Sequence, residues 1–348
     1  MVTCLKVPKA IAEETRQKLL NKNIFSGKFK ISREGDSVLF PISPEKVAEA
    51  LGLGVGVLEE LPIPPLQTKP ESIYGALEGK LTDGERQALV TSFDIVGDIA
   101  VLEIPEELQA KEKEIADAVF SVHANIKVVA KKTGATSGEF RIRPVKVIAG
   151  ENRTDTLYRE SGCLFRLDIN KAYFSGRLST ERLRIASQVG KGENILALFA
   201  GIGPFPIVIE KNSRNKPKKQ VAIELNPDAF AFMQENISLN KCKSIEPVLG
   251  DAAKILAEAK FANWAHRAIM PLPKTGGEFL KCVFPCMKKG GIVHFYSFGN
   301  EKEPYAHAEE AAKENAAACG KKIAIGAKRI VRPYSPREVQ VALDISIK

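Results

Sequence analysis

The stretch Glu193-Asn-Ile-Leu-Ala-Leu-Phe-Ala-Gly-Ile-Gly-Pro204 decides the fold of the C-terminal part of this chain. Its apolar run has the length of one buried strand, and the two glycines that follow let the backbone turn sharply and approach a ligand closely. Further strand-like runs alternate downstream with helical stretches, at residues 220–224, 245–249, 267–270 and 291–298. Repeated strand–helix units predict a parallel sheet that is covered by helices.

The end of the chain departs from this alternation. Two strand-like runs, 321–331 and 338–347, are joined only by Arg332-Pro-Tyr-Ser-Pro-Arg337. A parallel pair needs a crossover of about a dozen residues, so these strands are antiparallel if they are adjacent. The sequence therefore predicts an α/β fold over residues 190–348. We interpret it as a Rossmann-like class I methyltransferase domain, with a mostly parallel sheet that ends in a C-terminal antiparallel hairpin.

Two smaller α+β domains are expected before residue 190. Residues 1–62 combine strand-like and short helical runs, and the proline-rich stretch in 63–72 favours an extended linker. Within 73–189 the pattern predicts a hairpin that turns at Gly97-Asp98 and a helix near 106–119. Further strands are expected near residues 126–130, 139–147 and 163–169.

The chain of 348 residues has a net charge of +9, and much of the positive charge falls in the second of these domains. Aromatic residues such as Tyr158 and Tyr173 are interleaved with it. Basic side chains bind phosphates and aromatic rings stack on unpaired bases, so we interpret residues 73–189 as an RNA-binding domain. A solvated sheet face with core aromatics is the alternative. The basic residues are Lys127, Lys131, Lys132, Arg141, Arg143, Lys146, Arg153, Arg159, Arg166, Lys171, Arg177, Arg182 and Arg184.

Composition excludes several other classes of protein. No apolar run approaches the roughly 20 residues that a membrane helix needs, and the N-terminus lacks a secretion signal, so we expect a cytoplasmic protein with no membrane partner. The six cysteines and four histidines are scattered. We therefore expect reduced cysteines and no metal.

The ends of three successive strands carry residues suited to a cofactor. Glu224 follows Gly201 by 224 − 201 = 23 residues, the distance at which an acidic residue holds ribose hydroxyls, and Asp251 ends the next strand. A nicotinamide fingerprint needs a third glycine where Pro206 stands. S-adenosylmethionine has no pyrophosphate and needs no such glycine. Each residue alone is equally consistent with an ordinary turn or a solvated carboxylate.

Met270-Pro-Leu-Pro273 follows the fourth strand of the expected sheet. Two prolines cannot continue a strand ladder or enter a helix interior. They predict either a rigid rim, on which a planar substrate lies, or merely a sharp turn.

Several stretches together resemble the archaeal-type tRNA (guanine-37-N1)-methyltransferase family, and the resemblance covers nearly the whole chain. It implies S-adenosylmethionine as cofactor and tRNA as partner, with residues 1–62 at the outer corner and the target in the anticodon loop, and a monomeric enzyme. The stretches are Gly138-Glu-Phe-Arg-Ile-Arg, Ala149-Gly-Glu-Asn-Arg-Thr, Tyr173-Phe-Ser-Gly-Arg-Leu-Ser-Thr-Glu-Arg, Phe199-Ala-Gly-Ile-Gly-Pro-Phe, Met270-Pro-Leu-Pro and Tyr334-Ser-Pro-Arg-Glu.

The resemblance also implies roles for single residues. Glu181 matches the base that removes the N1 proton of guanine, and Arg141 matches the arginine that stabilises charge on O6. On the sequence alone, Glu181 could equally lie in the exposed first turn of a helix. The implied substrate-binding residues are Tyr173, Arg177, Pro271 and Pro273. The implied cofactor-binding residues are Arg182, Phe199, Gly201, Gly203, Glu224, Leu225, Asp251, Ala252 and Pro271.

Two positions depart from the family pattern. Ala197 stands where an aspartate is frequent, and Pro271 where the rim commonly begins with asparagine. Three alternatives follow: an aminocarboxypropyl transferase of the wybutosine pathway, a tRNA-binding relative that has lost catalysis, and a methyltransferase for another substrate. The proline rim favours methyl transfer over the first, Glu181 and Arg141 argue against the second, and the basic middle domain argues against a small-molecule substrate.

Overall fold

The computed structural model describes residues 1–64, 70–134, 138 and 140–348. The chain forms two compact units, Met1–Glu71 and Ser72–Lys348. Part of the expected linker, residues 65–69, lies outside the described residues, as does Glu139.

The first unit is a four-stranded antiparallel sheet with two helices. Its buried centre is formed by residues such as Leu5, Leu19 and Phe40. The strand order is β2-β3-β1-β4, and β4 was not predicted because it leads directly into the proline-rich stretch. The elements are β1 (Val2–Pro8), α1 (Ala12–Asn21), β2 (Ser32–Glu34), β3 (Ser37–Pro41), α2 (Val47–Leu51) and β4 (Val57–Leu61).

The second unit begins with a four-stranded sheet in the order β5-β6-β7-β8. The predicted hairpin is confirmed, because β5 and β6 pair antiparallel on either side of Gly97 and Asp98. The elements are α3 (Ile73–Ala76), α4 (Asp83–Ala88), β5 (Asp94–Val96), β6 (Ile99–Leu102), α5 (Glu112–Val122), β7 (Val128–Lys132) and β8 (Val145–Gly150).

The strand predicted near 139–147 begins later than expected, at Val145. Arg141 has a φ of 56°, in the left-handed region that strands do not use. Pro144, just before the strand, has no N–H for a ladder. The residues that the sequence placed in the strand therefore form a turn that precedes it.

A separate hairpin, β9 (Asp155–Glu160) and β10 (Cys163–Asp168), lies along the chain between this sheet and the C-terminal sheet. The sequence predicted β10 but not β9. The inward-facing side chains of β9 include Thr156 and Glu160, which are polar and buried. An alternating apolar pattern was therefore missing.

The predicted C-terminal sheet is confirmed. It has seven strands in the order β13-β12-β11-β14-β15-β17-β16. Strand β17 runs in the opposite direction to the other six. The strands are β11 (Asn194–Leu198), β12 (Lys219–Glu224), β13 (Ile245–Leu249), β14 (Ala265–Met270), β15 (Met287–Asn300), β16 (Ile323–Ser335) and β17 (Glu338–Ile347). The helices are α6 (Ser179–Gln188), α7 (Pro204–Asn212), α8 (Pro227–Leu239), α9 (Ala252–Leu256), α10 (Leu280–Cys286) and α11 (Ala306–Ala318).

Helix α8 supplies hydrogen bonds to the free edge of β10. Asn236 accepts the Arg166 N–H at 2.7 Å and donates to the Arg166 carbonyl at 3.0 Å. Asn240, one turn later, bonds both backbone groups of Leu164 in the same way. The two amides pair with β10 as a neighbouring strand would, so the hairpin is fixed to the C-terminal domain through α8.

Candidate active site

The loop after β11 has the backbone that its glycines predict. Phe199, Gly201 and Gly203 have φ values of 53°, 56° and 87°, and α7 begins at Pro204. A Cβ on Gly203 would lie 3.1 Å from both Ile207 Cδ1 and Met233 Cγ. This position therefore needs glycine for its conformation and for the close packing of α7 against α8.

Glu224 ties this loop to the end of β12. Its carboxylate accepts the Gly201 N–H at 2.6 Å and the Asn226 N–H at 2.8 Å. Burial raises the pKa of this carboxyl group. A carboxylate has about four lone-pair sites, so Glu224 can also accept a hydrogen bond from a ribose hydroxyl. Asn226 in turn caps α8 at Asp228 N, as the sequence predicted.

The remaining cofactor candidates lie at the same carboxyl-end edge of the sheet. Asp251 follows β13 and caps α9 by accepting the Lys254 N–H at 3.0 Å, and Ala252 is buried beside it. Pro271 and Pro273 follow β14 and are partly buried. Positive-φ glycines and carboxylates at adjacent strand ends fit a ligand with a ribose and an adenine amino group, so the residues present fit S-adenosylmethionine.

Glu181 lies in the first turn of α6 and is 6% exposed, so the alternative of an exposed helix residue is wrong. Tyr296 donates to Glu181 Oε2 at 2.8 Å, and Arg184 Nε lies 3.0 and 3.1 Å from the two carboxylate oxygens. Arg329 Nη1 is 3.8 Å from Oε1. Burial and the Glu181 charge raise the pKa of Tyr296 well above its usual value, so the phenol stays protonated and donates.

The rings around Tyr296 connect Glu181 to the glycine loop. The ring of Phe205, in the first turn of α7, lies 6.1 Å from the Tyr296 ring. The Arg182 guanidinium lies 5.7 Å from the same Phe205 ring. Arg182 is 1% exposed and pairs with Glu160 through an Nε–Oε1 distance of 2.6 Å. Its guanidinium is therefore engaged by β9.

Arg141 and Tyr173 form a second group near the loop. The Arg141 guanidinium lies over the Tyr173 ring at 5.8 Å, and Tyr173 is 45% exposed. A Cβ on Gly201 would lie 3.7 Å from the Tyr173 carbonyl oxygen, so Tyr173 borders the glycine loop. Arg177 pairs instead with Asp94, at 2.6 Å. Across the described residues no contact joins Arg141 to Glu181.

Much of the basic charge within residues 73–189 is paired locally. In the part of the chain that the structure describes, ion pairs with carboxylates are formed by at least seven of the thirteen basic residues: Lys131, Lys132, Arg153, Arg166, Arg177, Arg182 and Arg184. Other basic residues border an open groove of about 650 Å³, lined in part by Asn125, Lys127, Tyr158 and Arg159. Asp98 and Asp155 also line the groove, so the positive surface is smaller than the sequence suggests.

Sequence reasoning missed the residues behind Glu181. Tyr296 and His294 lie on β15 and Asp344 on β17, and all three are buried. Their partners are more than 20 residues away along the chain, so no local motif marks them.

Two absences hold for the described part of the chain. Its ranges contain no group of three or more His, Cys, Asp or Glu side chains arranged to bind a metal ion. In the same ranges, no helix has the length and apolar character needed to span a bilayer.

The seven-stranded sheet, the glycine loop after its first strand and the carboxylates after the next two define the class of S-adenosylmethionine-dependent methyltransferases. A model of the TRM5/TYW2 methyltransferase domain matches residues 156–323, a TYW2 N-terminal domain matches 73–154, and a tRNA methyltransferase 5 N-terminal domain matches 4–48. The chain belongs to the archaeal Trm5b-type tRNA (guanine(37)-N(1))-methyltransferase family.

Individual relatives agree with this assignment. Trm5b of Pyrococcus abyssi is 38% identical over 348 residues, which is 100% of this chain and 99% of the relative, and its crystal structure superposes with a TM-score of 0.74. A solved complex of aTrm5 with tRNALeu is 32% identical, covers 99% of both chains and has a TM-score of 0.81. A Methanocaldococcus jannaschii aminocarboxypropyltransferase that acts on 4-demethylwyosine(37) of tRNA(Phe) is 33% identical over 72% of this chain and 95% of its own length.

Proposed function

We propose that this enzyme transfers a methyl group from S-adenosylmethionine to N1 of guanosine 37 in tRNA, with Glu181 as general base and Arg141 stabilising charge on O6. The observation that carries the proposal is that one packed unit contains both the Glu181 carboxylate and the glycine loop. Tyr296 bonds Glu181, and its ring packs toward Phe205 in the first turn of the helix that follows the loop. A base in this position lies beside the site where a methyl donor would bind.

The chemistry requires a base because N1 of guanine carries a proton. Glu181 accepts that proton and so frees the lone pair of N1 for the new bond to carbon. When bound, the cofactor would supply the electrophilic sulfonium methyl group, and its sulfur would keep the electrons of the carbon–sulfur bond. Negative charge develops on O6 as the N1 proton leaves, and the guanidinium of Arg141 stabilises it.

The other site residues divide between the two ligands. The cofactor is held by Phe199, Gly201, Gly203, Glu224, Leu225, Asp251 and Ala252. Arg182 lies near the cofactor through its contact with Phe205, because its guanidinium lies over the Phe205 ring. Tyr173 and Arg177 hold the displaced base. Pro271 and Pro273 form the rim between cofactor and base.

The tRNA is held by more than the catalytic domain. We assign residues 1–62 to the outer corner of the tRNA, 63–72 to a linker, 73–189 to anticodon-side RNA binding and 190–348 to the cofactor domain. The basic groove beside the β9–β10 hairpin supports this, since Lys127 and Arg159 line it. A monomer supplies every residue that the reaction uses.

A labelling experiment tests the proposed reaction. The purified enzyme is incubated with unmodified tRNA transcripts that carry G, A or inosine at position 37. S-adenosylmethionine is labelled either in its methyl group or in its amino-acid portion. Methyl label that appears as N1-methylguanosine only in the G37 transcript is expected, and methyl transfer that ignores the base at position 37 would overturn the guanosine assignment.

The same experiment separates the two rival functions. Transfer of the amino-acid label identifies an aminocarboxypropyl transferase, the activity named for the M. jannaschii relative that covers 72% of this chain. Binding of tRNA without transfer of either label identifies a relative that has lost catalysis. The full-length match to Trm5b, including residues 4–48, favours methyl transfer over both.

A further inference from the structure

Glu181 is the first carboxylate of a buried network that extends across the sheet. Arg184 bonds Glu181 and also donates to Asp344 Oδ2 at 2.8 Å. Asp344 Oδ1 lies 2.7 Å from His294 Nδ1, and His294 Nε2 lies 2.6 Å from Arg267. His294 and Asp344 are direct partners across β15 and β17, so strand pairing fixes their contact.

The arginine at the far end fixes the proton on His294. A guanidinium can only donate, so His294 Nε2 accepts from Arg267 and Nδ1 carries the hydrogen that is donated to Asp344. Burial lowers the pKa of His294, in agreement with a neutral ring. Burial opposes the charge of Asp344, but its bonds to His294 and Arg184 hold its pKa well below its usual range. Asp344 is therefore a permanent anion behind Arg184.

We propose that Tyr296 and Asp344 are positioning residues for Glu181: Tyr296 fixes one carboxylate oxygen, and Asp344 shares the arginine that would otherwise neutralise the base. This inference rests on the proposed role of Glu181 as general base. It adds two residues from the strands behind α6 to the reaction.

The reason is the charge that remains after proton transfer. When Glu181 takes up a proton, Arg184 and Asp344 stay behind as a neutral pair. Without Asp344, the same step would leave Arg184 as an unpaired and largely buried cation, which is strongly unfavourable. Asp344 therefore makes Glu181 a stronger base than a carboxylate paired with an arginine alone.

Tyr296 acts on Glu181 in the opposite sense. Its hydroxyl donates to the ionised carboxylate, which favours the charged form. Its contribution is geometric, because a ring that is 0% exposed leaves the carboxylate little freedom to rotate. Arg329 also faces Glu181: its Nη1 lies 3.8 Å from Oε1 and its Nε is buried, so its charge favours the ionised carboxylate as well.

The test is the pH dependence of the methyl-transfer step in single-turnover reactions of the full-length enzyme with S-adenosylmethionine and the G37 transcript. Tyr296→Phe removes one donor to ionised Glu181 and should slow transfer about tenfold, with the acid limb of the rate profile moved to higher pH. Asp344→Asn should slow transfer and move that limb to lower pH. Opposite displacements are not expected from a loss of structure alone.

Two further variants make the interpretation specific. Tyr305→Phe makes the same chemical change at a ring that lies against Lys328, away from Glu181, and should leave rate and profile unchanged. In a Glu181→Gln background, Tyr296→Phe should cost less than about twofold, because a residue that acts only through Glu181 has nothing left to position. This cycle needs no Asp344 variant, so it applies even if Asp344→Asn does not fold.

The outcomes separate this inference from the proposed base. If Glu181→Gln slows transfer while Tyr296→Phe keeps the wild-type rate and profile, the positioning role is overturned and the base assignment stands. If Glu181→Gln itself leaves transfer unchanged, the base assignment fails first. Equal losses from Tyr296→Phe with and without Glu181 would also overturn the inference, because Tyr296 would then act independently of that carboxylate.

Discussion

The backbone N–H of Gly201 donates to the Glu224 carboxylate at 2.6 Å, so a carboxylate at the end of β12 holds the loop that follows β11. The loop is thus shaped in part by the group proposed to bind the ribose. The conformation of the loop and the proposed binding of the ribose therefore both depend on the Glu224 side chain.

Glu224→Gln is expected to weaken S-adenosylmethionine binding by about tenfold to a hundredfold, because bonds to an ionised acceptor are worth about 1.5–3 kcal/mol. Stability should also fall, because the glutamine NH2 replaces one acceptor oxygen and leaves the Gly201 or Asn226 N–H without a partner. Calorimetric titration and a melting curve at pH 7 measure the two effects, and wild-type binding with wild-type stability would contradict this account.

Glu181→Gln is expected to reduce single-turnover methyl transfer by about a hundredfold or more, since it removes a general base. Cofactor affinity should remain close to wild type, because the hydrogen bonds of Glu181 go to Tyr296 and Arg184 and not to the proposed cofactor residues. Glu235→Gln, an exposed carboxylate paired with Arg166, serves as the matched control. Unchanged transfer by the Glu181 variant would show that another group takes the proton.

His294→Gln is expected to flatten the acid side of the stability profile. A histidine pKa that is lowered on folding costs stability as pH falls below the unfolded value of about 6.5, because the unfolded chain then binds more protons. Glutamine preserves a donor toward Asp344 and an acceptor toward Arg267 but does not titrate. Melting temperatures between pH 8 and 5 check this against exposed His307→Gln. An equally steep decline in the His294 variant would contradict it.

Asn236→Ala is expected to destabilise the fold by about 2–4 kcal/mol, because it leaves several backbone groups without a partner. Asn236 is 0% exposed and bonds Arg166 N, Arg166 O and Ile202 O. Denaturant unfolding measures the loss, and Ser238→Ala, an exposed position on the same helix, should change stability by less than about 0.5 kcal/mol. Similar values for the two variants would rule out the role of Asn236 at the strand edge.

The parts of the fold that the sequence predicted are those with a local cause. Strand–helix alternation predicted a mostly parallel sheet, and the short connection at 332–337 predicted its antiparallel end. The cap at Asn226 follows from three consecutive residues. Strand β9 was missed because Thr156 and Glu160 are buried by partners, Asp98 and Arg182, that are 58 and 22 residues away.

The residues of the candidate site also fall into two groups, those with a local sequence signal and those without one. Gly201, Gly203, Glu224 and Asp251 were identifiable because each follows a recognisable strand. The surroundings of Glu181 were not, because Tyr296 and Asp344 are 115 and 163 residues further along the chain and meet it only when α6 packs on the sheet. Ala197, where an aspartate is frequent in the family, is 2% exposed in an apolar cluster with Phe165 and Ala222. An added carboxylate there would be buried without a charge partner among those neighbours.

The amides of Asn236 and Asn240 also restrict how this chain can change over evolutionary time. They meet alternate residues of β10, Arg166 and Leu164, because one helical turn of about 5.4 Å is close to the repeat of two strand residues. Inserting or deleting one residue between them would rotate the second amide away by about 100°. Related sequences that keep this hairpin should therefore align from Asn236 to Asn240 without a gap, however far their other side chains have diverged.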